Sequence, residues 1–465
     1  MQRRNCPPRK HIAQDRVRFD DEGRLWEEGA HTVMVDLAIG GKAWIKDGFE
    51  SCAILIEGDK IVDIVPRSEV PQRISFSDFG NRWILPGLVD IHVHLRDFEE
   101  CKKEDFKSGT KAAVAGGFST VLCMPNTVPP ITNVRMLREA KSKAADGVWC
   151  DIGFHIGLAQ SPSDLGDALD AGGFSAKLYP EDFSRIEKRQ DWIETLASGD
   201  FQVYLHAEDL DMISRNRKLL DTKLKGASKH GGIRSPEAEI AAVSKAFHLL
   251  KGGRLHMAHV TTSEGIRALT GTRQVTFEVT VHHLALSGAA IDQHGGIAKV
   301  NPPLRSQRDV IALRMAVNKG APLAIVSDHA PHLLEEKRNE MYDDIPSGFP
   351  GLETAFAVLC DLSGKGELIM DDVIKDLTSK PSLGFGLKGK GSIAIGMDAD
   401  LAIVDPETRW KVRPSEFQSK AKFSPFEGKE LRGRVLATMV GGKWAFGEGQ
   451  PSETPNGEVI GRTWN

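Results

Sequence analysis

The 465-residue sequence predicts an α/β protein. Its fold class is a (β/α)8 TIM barrel with a small β-sandwich domain built from both ends of the chain. Three observations predict it. Short apolar runs alternate with helical stretches through the middle of the chain. Short, glycine-punctuated strands with no helix between them occur at both ends. Histidines and carboxylates recur where the central apolar runs finish.

Residues 1–30 are polar and mixed in charge, with Arg3, Arg4, Arg9 and Lys10 set against Asp20, Asp21 and Glu22. They contain no apolar stretch for a secretory signal, and the acidic cluster argues against a transit peptide. They are expected to form an N-terminal extension. Strand signals follow at 33–39, 43–45, 53–56 and 61–65, broken at Gly40-Gly41, Asp47-Gly48 and Gly58-Asp59. Such text reads as strands joined by tight turns. It returns at 391–395, 400–404, 410–412 and 434–441. Segments 31–81 and 386–450 are therefore assigned to one small β-sandwich domain, and 451–465 to a C-terminal tail. Between them, 82–385 carries eight strand candidates: 82–94, 119–124, 150–156, 174–178, 202–205, 254–259, 275–279 and 322–327. Helical stretches at 105–115, 134–144, 182–196, 236–250, 263–269 and 308–317 alternate with them. That alternation is the sequence form of a (β/α)8 barrel.

Composition excludes several classes. The net charge of −4 supplies no basic field for nucleic acid. No apolar run approaches the roughly 18 residues of a spanning helix, so no membrane partner is expected. The six cysteines are scattered, with no Cys-x-x-Cys pair. That argues against a disulfide framework and fits a reducing, cytoplasmic location.

In a (β/α)8 barrel the active site lies at the C-terminal strand ends. The first strand ends in His92 and His94, two residues apart, and alternate residues of a strand share a face. Two imidazoles on one face can grip one metal ion, and Arg96 follows on that face with a planar cation for an anionic substrate. The second strand leads to Asn126, the fourth to Lys177, the fifth to His206, the sixth to His259 and the eighth to Asp328, with His332 beyond. His155, His230, His248 and His256 are read as structural. A lysine facing a metal cluster is disfavoured as an ammonium. As a free amine Lys177 can take up CO2 and become a bridging carbamate. Without carbamylation, His92, His94 and Asp328 hold one ion. Histidine and carboxylate donors without thiolate suit zinc best, with cobalt, manganese and iron as alternatives. The chemistry expected is metal-assisted hydrolysis of a small molecule, with Asp328 moving a proton from water to the leaving nitrogen.

These residues fall in segments that resemble the amidohydrolase superfamily, and within it the class I dihydroorotases. The segments are Pro86-Gly87-Leu88-Val89-Asp90-Ile91-His92-Val93-His94-Leu95-Arg96, Lys103-Glu104-Asp105-Phe106, Met124-Pro125-Asn126-Thr127, His206-Ala207-Glu208-Asp209, His256-Met257-Ala258-His259-Val260, Glu278-Val279-Thr280-Val281-His282-His283-Leu284, Asn301-Pro302-Pro303-Leu304-Arg305, Ser327-Asp328-His329-Ala330-Pro331-His332 and Gly351-Leu352-Glu353-Thr354. The resemblance covers roughly residues 33–445. It implies reversible closure of N-carbamoyl-L-aspartate to (S)-dihydroorotate plus water in pyrimidine synthesis. It implies that His92 and His94 bind a first ion, that Asp328 binds it and shuttles the proton, and that His206 and His259 bind a second. Lys177 resembles the bridging carbamylated lysine. Arg96, Asn126 and His332 are implied to hold the substrate carboxylate, and Asn301 the pyrimidine edge. One or two zinc ions per subunit, a homodimer, and association with aspartate carbamoyltransferase complete the expectation.

The chain departs from the family pattern at three places. Asp97-Phe98-Glu99 stands where acidic-Pro-Gly is usual, and Val281 stands where proline is usual. Many bacterial members carry Asp at the position of Lys177. The rival readings are an allantoinase or dihydropyrimidinase, and an inactive scaffold. Three donors gathered on one anion favour a carboxylate-bearing substrate over a neutral cyclic ureide, and no ligand is lost as a scaffold would allow.

Overall fold

The computed structural model describes the backbone of residues 18–19, 24–26, 33–220, 226–272 and 275–462. Most of the expected extension lies outside the described residues. Its Arg24–Trp26 pairs antiparallel with Arg18–Phe19 and with Val33–Met34.

One eight-stranded sheet unites the two chain ends. In spatial order it runs Gln450–Pro451, Lys443–Gly447, Glu430–Val440, Leu401–Lys411, Ser75–Pro86, Leu37–Ile45, Gly48–Glu57 and Lys60–Val65. The C-terminal strands join the N-terminal ones where Leu401–Lys411 pairs antiparallel with Ser75–Pro86. Ile39, Ile54 and Ile84 share one buried apolar core with Leu401, Ile403 and Met439, so neither end completes this core alone. The strand break expected at Gly40-Gly41 is absent. Leu37–Ile45 runs straight through it. A Cβ at Gly40 would stand 2.7 Å from the Phe76 ring, and one at Gly41 2.9 Å from Ile84. These glycines make room for the neighbouring strand rather than a turn.

The barrel strands follow in chain order: Leu88–Val93, Phe118–Cys123, Asp151–Phe154 with Ile156–Gly157, Ser175–Leu178, Gln202–Leu205, Arg254–Met257, Val275–Thr280 and Ala324–Val326. Each pairs parallel with the next. The third is split at His155, where it passes from one neighbour to the other. The His155 ring turns inward, with Nδ1 2.6 Å from Ser175 Oγ and Nε2 3.0 Å from Ile91 O. A bridge between Val93 and His329 joins the eighth strand to the first. The buried Asp90 carboxylate reinforces this seam by accepting the N–H groups of His92 and Ser327.

The run expected as one strand over 82–94 is two. Ser75–Pro86 belongs to the outer sheet and Leu88–Val93 to the barrel. The chain changes layer at Gly87, where a Cβ would collide with Ser119. The helix expected over 182–196 is also two, Pro180–Ile186 and Gln190–Ser198. Residues 187–189 are Glu, Lys and Arg and give the barrel wall nothing apolar.

Two polar clasps join the layers. Half-buried Lys390 reaches Asp151 of the third barrel strand at 2.5 Å, Asp398 at 2.9 Å and Asp400 at 2.8 Å. Glu353 accepts the N–H groups of Gln418 and Ser419, and Glu104 accepts that of Lys420. Beyond the sheet, the chain returns along the barrel, where Gly457 and Val459 bridge to Val148 and Ile152.

Candidate active site

A cavity of about 260 Å³ opens at the C-terminal ends of the barrel strands. His92, His94, Arg96, Asn126, Lys177, His206, His259, Asn301, Asp328 and His332 all line it. The structure thus brings together every residue singled out from the sequence. It adds Tyr179, Arg234 and Ser347 to the wall.

Ligand atoms of His92, His94 and Asp328 lie within 4.8 Å of one another. The outer partners set where the imidazole protons sit. His92 Nδ1 lies 2.5 Å from Glu278 Oε1, and His94 Nδ1 lies 2.7 Å from Asn126 Oδ1. Both partners are acceptors, so each proton is on Nδ1. The Nε2 lone pairs then face Asp328 Oδ1 at 3.5 and 3.1 Å. Three acceptors converging without a donor repel one another unless a cation stands among them. Burial holds the His94 ring neutral, with its pKa pushed down to about 4. Burial alone would raise Asp328, and positive charge on the His92 and His94 side is what brings it below the usual carboxylate range.

A second cluster faces the first. His206 donates from Nε2 to Glu208 at 2.7 Å, and its Nδ1 lies 3.0 Å from His259 Nε2. Glu208 is also paired with Arg234. His259 Nδ1 is buried without a hydrogen-bond partner. In the same cavity, Lys177 Nζ is likewise buried without one and stands 4.3 Å over the Tyr204 ring. Burial pushes its pKa down to about 8. The donor set therefore fits one divalent ion at His92, His94 and Asp328. It fits a second beside His206 and His259, with Lys177 lining the same cavity.

The rest of the cavity is built for an anion. Arg96 is buried, and its one ion-pair contact among the described residues, Glu100, stands 3.9 Å away. Its Nε donates to Pro331 O at 3.2 Å, and its guanidinium lies 3.1 Å from His332 Nε2. Burial and Arg96 push the His332 pKa down to about 2. Asn301 Oδ1 and the Tyr179 hydroxyl are buried without partners. At the departure from the family pattern, Arg96, Asp97 and Phe98 have φ of 58°, 57° and 47°. Asp97 holds this left-handed turn by accepting the N–H groups of Phe98 and Phe106.

The profile of the amidohydrolase family matches residues 83–445.

The chain belongs to the amidohydrolase family.

Its relatives within the family include the dihydroorotase of Thermococcus kodakarensis, 34% identical over 91% of this chain and 98% of the relative. The dihydroorotase of Anaplasma phagocytophilum is 33% identical over 84% and 90%. Among solved amidohydrolase-like structures, the L-hydantoinase (dihydropyrimidinase) from Arthrobacter aurescens superposes with a TM-score of 0.85. It is 26% identical and covers 92% of this chain and 100% of its own. The chain is a hydrolase of cyclic amide bonds acting on a small molecule. No helix among the described residues is long and apolar enough to cross a membrane.

Several residues of this amidohydrolase site escaped the sequence reading. Tyr179 lies two residues beyond Lys177, the same spacing that marked His92 and His94. Glu278 is a charged residue inside an apolar strand, which signals a buried partner. Arg234 carried no local signal. His256 and His155 are hydrogen-bonded inside the barrel and His248 is exposed on its helix.

Proposed function

We infer that the chain is a dihydroorotase. It interconverts (S)-dihydroorotate plus water with N-carbamoyl-L-aspartate, a step of pyrimidine synthesis. The observation that carries this reading is Arg96, a buried guanidinium without a close carboxylate, opening into the cavity that holds His92, His94 and Asp328. A buried cation of this kind calls for an anion, and the substrate carboxylate outside the ring supplies one.

Arg96, the Asn126 amide and His332 hold that carboxylate, and Asn301 accepts from the ring edge. A divalent ion, when bound, acidifies water and polarises the ring carbonyl. Asp328 takes the proton of the attacking water and passes it to the ring nitrogen as the C–N bond breaks. In the reverse direction it returns that proton to the departing water. Zinc is the metal that the His and carboxylate donor set supports; His92, His94 and Asp328 would hold one ion and His206 and His259 a second, and Lys177 as a carbamate would supply an anionic ligand to them. The cytoplasm is the location, supported by cysteines free of disulfides among the described residues. A homodimer and association with aspartate carbamoyltransferase belong to the same reading, and a sizing column decides them.

The L-hydantoinase likeness keeps a neutral cyclic ureide as the second reading. Zinc-loaded protein assayed on dihydroorotate, allantoin and dihydrouracil separates them. Turnover of dihydroorotate is expected, and turnover of the neutral ureides alone would overturn the reading. Arg96→Ala should lower kcat/KM on dihydroorotate by about 100-fold or more and leave zinc content unchanged. Loss of zinc would instead make Arg96 structural.

A further inference from the structure

Beneath the cavity lies a carboxylate that the reaction does not use. Glu278 sits on the seventh barrel strand, Val275–Thr280, and is fully buried. Four donors converge on it. Oε1 takes His92 Nδ1 at 2.5 Å and the backbone N–H of His259 at 3.1 Å. Oε2 takes the Tyr204 hydroxyl, and His256 Nε2 at 3.2 Å. A buried carboxylate without donors is costly, and this one has all it can use.

The two contacts on Oε1 differ in kind. At His92 the carboxylate acts on the ring and holds the proton on Nδ1, which points the Nε2 lone pair at Asp328. At His259 it acts on the backbone. His259 has a φ of 32°, a left-handed conformation that a non-glycine residue adopts only when its surroundings impose it. The next residue rejoins the strand ladder, Val260 N donating to Glu278 O at 2.9 Å. The His259 N–H has turned away from that ladder into the barrel, and the Glu278 side chain receives it there.

We propose that Glu278 is a positioning residue shared by both metal positions, fixing the ring of His92 for one and the backbone of His259 for the other. The proposal rests on the reading of these histidines as ligands. Its consequence is that the two ions depend on one carboxylate and weaken together when it is changed.

The test uses the full chain and zinc alone, titrated in competition with a chromophoric chelator. Glu278→Gln is expected to weaken both zinc ions by about 10–100-fold. Unchanged affinities, or weakening of one ion only, would overturn the proposal. Wild-type protein that takes up fewer than two ions would overturn the ligand reading itself. Histidine tautomers, read by nitrogen-15 NMR on metal-free wild-type protein, need neither variant nor metal. His92 should carry its proton on Nδ1, and a proton on Nε2 would overturn the role of Glu278 even if Glu278→Gln failed to fold.

Discussion

At the scale of the residue, the site is defined by what its polar atoms lack. Lys177 Nζ, His259 Nδ1, Asn301 Oδ1 and the Tyr179 hydroxyl are buried and unpaired, although buried polar groups are ordinarily satisfied. Lys177 gives this a measurable form. Its pKa is lowered from 10.5 to about 8 by burial. Between those values the unfolded chain holds the extra proton, so the stability of metal-free protein should rise with pH through that window. Lys177→Met should abolish the rise, as read by chemical unfolding from pH 7 to 10. Carbamate formation needs the free amine, so uptake of carbon-13-labelled CO2 should set in at lower pH than for an ordinary lysine. Nine of the ten cavity residues stood at or just beyond strand ends, where metal ligands and their neighbours are legible in one dimension, and Asn301 came only from the family resemblance. Arg234 was not legible, since its place depends on a pairing with Glu208 that only the folded chain creates.

At the scale of the element, the apolar runs were readable and their allegiance was not. Eight runs announced eight barrel strands, because parallel strands covered on both faces are apolar throughout. A run does not say which sheet it joins. The end of Ser75–Pro86 from Arg82 onward and Leu88–Val93 read as one strand, yet they belong to different layers separated by one glycine. Gly87→Ala should cost about 1–3 kcal/mol through overpacking against Ser119. Adding Ser119→Gly should recover most of that. Thermal unfolding of the single and double variants checks both, and equal losses would place the strain elsewhere. Gly40-Gly41 shows the reverse case. Glycine there signals space for a neighbour, and the pair alone cannot tell a turn from a close crossing.

At the scale of the whole molecule, Lys390 ties the third barrel strand to the strands that follow it in the outer sheet. Lys390→Met would leave Asp151, Asp398 and Asp400 crowded in a buried place without their shared cation. A loss of about 3–5 kcal/mol in urea unfolding is expected. Asp151→Asn, which removes a charge from the same cluster, should cost less. If both variants matched the parent, the clasp would carry no stability. The alliance of both chain ends in one sheet was visible in the sequence as matching glycine-rich text. What that alliance means in time was not. A ribosome releases every cavity residue by Gly348, well before Leu401–Lys411 exists to cover Ser75–Pro86. During that interval the nascent chain owns a complete catalytic constellation and an open strand edge of the kind that invites aggregation. For this protein the hazardous stage of biogenesis comes after the active site has been translated, in the wait for the last strands that seal its outer sheet.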